Sequence, residues 1–301
     1  MQLRIRSVLL TAGVLLFTAY CKSYAQTVKP DRFFSADPAD MDNSKIVEAN
    51  SQQLIETRDC ERCNLIGADL RGQNLERSYL RSSNLEEANL RFVSLRYSDL
   101  RGANLGSSNL SGADLREAKL IGADLFRANL TQITAIEADL RGALLGQANL
   151  SDASLYQANL TEADLNRATL ERTQLQEANL ERANLTLARL QKANLSLANL
   201  NGADLRKADL SDADLSNATL EFADLRGAFL FGTDLTNANL CSAAMPDGTV
   251  SEQGCKQQEE QTEPETVPAT DTTPAPDATP PENSSETIPT NPPPVESINV
   301  N

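Results

Sequence analysis

Histidine and tryptophan are absent from this 301-residue chain, and only 4% of its residues are aromatic. Without histidine it lacks the commonest general base and the commonest zinc ligand, so carboxylates, lysine, tyrosine and cysteine are left for any chemistry. An enzyme is disfavoured, and any core must be aliphatic. A strong basic patch is missing as well. Residues 1–60 hold 7 basic and 7 acidic side chains, 61–240 hold 19 and 24, and 241–301 hold 1 and 11, which accounts for the net charge of −15. A body at 19 − 24 = −5 has neither the basic footprint of a nucleic-acid binder nor the uniform acidity of a DNA mimic. Neutral or mixed-charge protein partners fit better. No catalytic, cofactor-binding or metal-ligating set stands out.

What the chain does have is a period. Leucine occupies 35 of the 36 positions divisible by five from Leu65 to Leu240, the exception being Ala135. Helices turn about 100° per residue and strands alternate by about 180°, so a spacing of five buries one face in neither. The chain must therefore change direction once per repeat. The residue two before each leucine is usually Ala, as at Ala68 and Ala113, and the one between is usually Asn or Asp, as at Asp69 and Asn104. Ala and Leu, two apart in an extended segment, point to one side and the Asn or Asp to the other. The next two residues, polar or Gly as at Gly67 and Gly122, turn the corner. At Ala135 the small and large residues are exchanged, because Ile133 stands where Ala is usual. The exchange is expected to conserve core volume without a bulge.

The flanks differ in character. Arg4 and Arg6, an apolar run from Val8 to about Ala19, and Ser23-Tyr24-Ala25 read as an export signal cleaved before Gln26. The run falls short of the ~20 residues that span a bilayer, so no stable membrane span is expected after cleavage. Residues 26–41 read as a linker, and Asp42 to Thr57 as a short helix with Val47, Leu54 and Ile55 on its apolar stripe. Together, residues 26–59 are expected to lead into and cap a repeat array over 60–240, because the open end of a stack must be covered. Pro246-Asp247-Gly248 marks a turn in a second cap, over 241–255. From 256 to 301 the chain is rich in Pro, Thr, Glu and Ser, with ten prolines between Pro264 and Pro294, and reads as a disordered tail.

Once Cys21 leaves with the signal, Cys60, Cys63, Cys241 and Cys255 form an even set, two at each end of the array. In an oxidising compartment they read as two local disulfides that lock the caps. A redox-active Cys60-Glu-Arg-Cys63 and a zinc site are the alternatives, the first without a βαβ context and the second needing both pairs to meet.

The pattern in Ala68-Asp69-Leu70-Arg71-Gly72 and Ala203-Asp204-Leu205-Arg206-Lys207 resembles the pentapeptide-repeat family. Leu54-Ile55-Glu56-Thr57 ahead of the CxxC, and Met245-Pro246-Asp247-Gly248-Thr249 ahead of Cys255, are similar to its exported cyanobacterial members. The resemblance implies an all-β fold, a right-handed quadrilateral β-helix of about nine coils with four repeats per coil, between a short N-terminal capping helix and a disordered tail. It also implies a non-catalytic scaffold that mediates protein–protein interaction in the periplasm or thylakoid lumen, or secreted. The family's gyrase-binding DNA mimics offer a further alternative, against which export argues.

Residues twenty apart would then stack. The pairs Asp204/Asp224 and Asp214/Asp234 could hold a cation, although a solvated ladder is the plainer reading. Outward apolar residues are rarer. Ile136 lies below Tyr156, with Phe126 and Leu144 in nearby coils, and these four form the candidate partner contact. Phe222, Phe229 and Phe231, in the last coils, are expected to pack against the C-terminal cap. The exported protein should begin at Gln26 and contain no free thiol. Intact mass with and without alkylation checks both, and four alkylated cysteines in native material would rule out the capping disulfides.

Overall fold

A computed structural model describes residues 43–255. The expected signal over 1–25, the linker over 26–41, Asp42 at the start of the expected helix, and the tail over 256–301 lie outside the described residues. Within them the chain forms one helix, α1 (Asn43–Thr57), followed by a parallel β-helix. Bridges join residues twenty apart without interruption, from Asp59–Tyr79 to Asp224–Ala244. Each coil therefore holds four repeats. The ladder runs past the expected end at 240 through Ala244, with Met245 taking the leucine position.

Hydrogen bonding explains why five residues suffice. In the repeat that begins at Ala193, the Ala193 amide closes a turn onto the Leu190 carbonyl at 3.0 Å. The Asn194 amide reaches back one coil to Thr173 O at 2.9 Å, while those of Leu195 and Leu197 reach forward to Asp214 O at 2.7 Å and Ser216 O at 3.0 Å. The remaining amide, Ser196, has no backbone acceptor and donates to Asn194 Oδ1 at 3.0 Å. All five donors are satisfied, as a buried backbone requires. The recurrent Asn or Asp thus caps its own corner as well as facing solvent.

The corner restricts sequence in a second way. Every fifth residue from Arg62 to Ser242 has positive φ, between 51° and 71°. This left-handed region is costly for residues branched at Cβ. None of these positions holds Val, Ile or Thr, although the position just before accepts Ile66, Ile121, Ile136, Thr131 and Thr161. Gly112 serves a further purpose, because a Cβ there would meet the Phe92 ring at 2.5 Å.

Leucines fill the interior with Ala beside them, nearly all without solvent exposure. Each buried leucine is worth ~1.5–3 kcal/mol. At the irregular repeat the ladder continues through Thr134, bridged to Asp114 and Ser154, so there is no bulge. Compensation by Ile133 is incomplete, however. An apolar cavity of about 10 Å³ remains between Ile133, Ala135 and leucines that include Leu115, Leu130 and Leu150. It is barely the size of a water and offers no polar partner, so it stays dry.

α1 lies over the N-terminal end. Leu54 is buried, with Val47 and Ile55 partly so, and Arg58 at φ 63° ends the helix. Asn50 Nδ2 donates to Asn64 O at 2.8 Å and Gln53 Nε2 to Asp59 O at 2.9 Å, occupying carbonyls that a preceding coil would have used. At the other end residues 249–253 fold back antiparallel, with Leu240 N to Gln253 O and Ser242 N to Ser251 O both at 2.9 Å.

Ala135→Leu alone should overfill the cavity and destabilise the protein by ~1–3 kcal/mol. Combining it with Ile133→Ala restores the regular repeat and should recover most of that loss. Additive destabilisation in thermal unfolding would show that the two side chains do not share one space.

Candidate functional site

The wall is built from outward side chains, and most of its charge is consumed locally. Wherever Asp precedes the leucine and Arg follows it, the two form a forked pair. Arg71 Nε and Nη2 lie 2.8 and 2.7 Å from Asp69, and Arg141 repeats these distances on Asp139. Arg101 binds Asp99 in the same way, with Arg81 adding a contact at 3.1 Å, and Arg116 binds Asp114. The stacked acids Asp204 and Asp224 are held by Arg206 and Arg226, so this pair is zipped by guanidinium groups. Among the described residues no group of three or more metal-ligating side chains converges.

Hydrogen bonds from these guanidinium groups hold the carboxyls of Asp99, Asp114, Asp139, Asp204 and Asp224 below the usual range, outweighing partial burial, which acts the other way. Tyr156 is shifted up by its hydrogen bond to Glu177 Oε1 at 3.0 Å.

The four candidate contact residues do not form one patch. Phe126 lies against Gly146, whose Cβ would sit 3.2 Å from the ring, and Leu144 is two residues from Gly146. Arg127 covers the Phe126 ring at 5.1 Å. Ile136 and Tyr156 stack in one column, above Arg116, but ten residues separate 126 from 136 in a twenty-residue coil. The pairs Phe126/Leu144 and Ile136/Tyr156 are therefore half a coil apart, on opposite sides. They differ in exposure too: Phe126 and Leu144 are 40% and 48% exposed, whereas Ile136 and Tyr156 are half-buried.

Two features escaped the sequence reading. Tyr79 is exposed at an Asn/Asp position, and arginines stack on aromatic rings near the N-terminal end, with Arg77 and Arg96 at 5.5 and 5.3 Å from Tyr97. The twenty-residue spacing of Arg77 and Tyr97 was the available signal. Phe222, Phe229 and Phe231 do not pack into the cap as expected, since they are 69%, 61% and 83% exposed. The fold-back of residues 249–253 pairs only with the stretch 240–245, and Phe222 meets the cap through its backbone alone, its amide donating to Cys241 O at 3.1 Å.

The cysteines lie in two pairs at disulfide distance. Cys60 and Cys63 have Cα atoms 5.3 Å apart, and Cys241 and Cys255 4.7 Å apart. Cys60 is fully buried, its Sγ 3.4 Å from the α1 carbonyl of Asn50. No helix among the described residues is long and apolar enough to cross a membrane.

The sequence matches the family pattern of pentapeptide repeats in eight copies, covering residues 63–100, 94–132, 136–172, 168–206, 193–230 and 213–245. No curated relative matches it. Among solved structures it is 37% identical to HetL, a pentapeptide repeat protein involved in heterocyst differentiation regulation from the cyanobacterium Nostoc. That match covers 64% of this chain and 91% of HetL, with a TM-score of 0.33. A thylakoid-lumen pentapeptide repeat protein of Arabidopsis thaliana is 29% identical over 48% of this chain and 73% of its own, with a TM-score of 0.16. QnrB1, a plasmid-mediated fluoroquinolone resistance protein, is 22% identical over 56% and 92%, with a TM-score of 0.30.

Because folding lowers the pKa of the paired aspartates, their stabilisation is complete above the unfolded-state value of ~3.9 and is lost as pH falls through the lower folded-state values. The melting temperature should be level from about pH 7 to about pH 5 and fall below about pH 4. Asp114→Asn with Asp139→Asn keeps the corner caps and should flatten that fall. An unchanged acid profile would show that the forked pairs contribute nothing.

Proposed function

Because the chain belongs to the pentapeptide-repeat family, whose members fold as right-handed β-helices, we propose that it is an exported, non-catalytic scaffold of quadrilateral cross-section that binds a protein partner. Four turns per coil support the cross-section. Export rests on the signal pattern of residues 1–25 and the two cysteine pairs, and puts the protein in the periplasm or thylakoid lumen, or outside the cell. The proposed division has residues 26–59 as linker and cap, the array over 60–240, a cap over 241–255 and the tail over 256–301.

The observation that carries the reading is how the wall's polar groups are used. Most of its Asn and Asp side chains cap corners and its arginines are largely paired, and among the described residues no side chain is set apart as nucleophile or base. Apolar side chains stand out against that background, and the pairs Phe126/Leu144 and Ile136/Tyr156 are the proposed contacts. A thiol-redox role for Cys60 and Cys63 is weakened by the burial of Cys60 beneath α1. A DNA-imitating role is weakened by the array's charge of only −5 (19 − 24) and by its paired arginines.

Replacing Ile136 and Tyr156 with Ser, or Phe126 and Leu144 with Ser, should leave folding within about 0.5 kcal/mol of the parent. At least one of the two variants should lose partner recovery in a crosslinking pull-down from the native compartment. Full recovery with both would remove these contacts, and a thiol turnover abolished by Cys60→Ser would favour the redox reading.

A further inference from the structure

The C-terminal end of the β-helix is covered over only part of its last coil. The amides of Leu240, Ser242 and Met245 are taken by residues 249–253. Those of Leu230, Gly232, Leu235 and Asn237, which earlier coils direct forward to the next one, have no acceptor among the described residues, and the carbonyls of Ala228 and Thr233 have no donor. Leu230 and Leu235 are only partly buried, unlike the leucines beneath them. Phe229 and Phe231 stand exposed at the rim. An unpaired edge with an apolar floor is a template for one more strand.

Charge separates the possible occupants. The stretches 209–217 and 229–237, which form the two open sides in the last two coils, carry Asp209, Asp212, Asp214 and Asp234 and no Lys or Arg. The sequence of residues 256–301 has nine acidic side chains against Lys256, the wrong sign of charge to complement these aspartates, and its prolines cannot donate to a ladder. A second copy meeting end to end brings the same four aspartates. A head-to-tail copy is held off sterically, because α1 and residues 249–253 cover the same sides at the two ends, at Asn64 and at Ala244, and would collide.

We infer that the open edge from Ala228 to Asn237 is a docking site for an extended, basic, proline-free segment of another protein, added as a strand across the end of the coil. Its main chain pairs with the amides of Leu230, Gly232, Leu235 and Asn237, its apolar side chains cover Leu230, Leu235 and the two phenylalanine rings, and its Lys or Arg side chains meet the aspartates. It bends at the 231–232 corner as residues 249–253 bend at 241–242. This inference rests on the protein-binding reading and adds a place and a partner class to it.

A synthetic peptide of alternating lysine and valine, about eight residues long to match Leu230–Asn237 at ~3.3 Å per residue, tests the inference on the full oxidised chain. Fluorescence anisotropy should show binding that weakens at least roughly tenfold when glutamate replaces lysine, and likewise when a central proline is introduced at constant charge. Amide exchange at Leu230, Gly232, Leu235 and Asn237 should slow in the complex, and Phe229→Ser with Phe231→Ser should weaken it roughly fivefold. Equal binding of the proline peptide, or protection elsewhere than this edge, would overturn the proposal. So would absence of binding together with self-association of the Asp212→Asn, Asp214→Asn, Asp234→Asn variant, which would mean that these carboxylates only keep copies apart. Such failures remove the end site alone, whereas failure of the pull-down bears on the scaffold reading itself.

Discussion

Every repeat must place five amide hydrogens, and the rest of this structure follows from how it does so. Three go to neighbouring coils and one closes the turn, which leaves the corner amide with no backbone partner. A short side chain that carries an acceptor, fixed two residues earlier, is the local remedy. It accounts for Asn and Asp before the leucine, and their outward position lets them add ion pairs with Arg at no cost to the cap, as Asp139 does with Arg141. The same constraint sets the interior, since close coil spacing admits one large and one small residue per repeat. Where that order is inverted, at Ile133 and Ala135, the backbone holds its register and the packing yields instead.

A surface built this way is chemically quiet. Its forked aspartates, such as Asp114 and Asp139, are occupied by amides and guanidinium groups, which lower their pKa and take them away from proton transfer at neutral pH. Differences between one part of the wall and another then come from apolar substitutions and from the ends. The ends are where a solenoid departs from its own rule, because the forward and backward hydrogen bonds stop there. α1 and residues 249–253 each replace part of a missing coil, and neither replaces all of it.

Much of this was legible in the sequence. The period of five, the inward leucines and the helix over Leu54 were all readable, because each depends on residue size or polarity repeating at a fixed interval. The corner was only partly readable. Glycine at positions such as Gly67 pointed to positive φ, but the sharper signal was the exclusion of Val, Ile and Thr from every such position, and that is an absence. Side-to-side geometry was less legible. Residues 126 and 136 are neighbours in sequence, yet half a coil of turning separates them, and spacing modulo twenty was needed to see it. The extent of the C-terminal cap could not be read at all. Whether residues 249–253 reach Phe229 and Phe231 depends on the backbone path after Gly248, which a turn motif alone leaves open.

The corner cap is the contact on which the coil depends. Thermal unfolding of Asn194→Asp and Asn194→Leu compares a side chain that keeps the acceptor for Ser196 N with one that removes it. Leucine is sterically acceptable at the equivalent position of another repeat, as Leu144 demonstrates in a ladder half a coil away. The Asp variant should melt with the parent, and the Leu variant lower by about 2–4 °C, in keeping with ~1 kcal/mol for an amide left without its partner. Equal melting of all three would contradict the claim that these side chains complete the backbone.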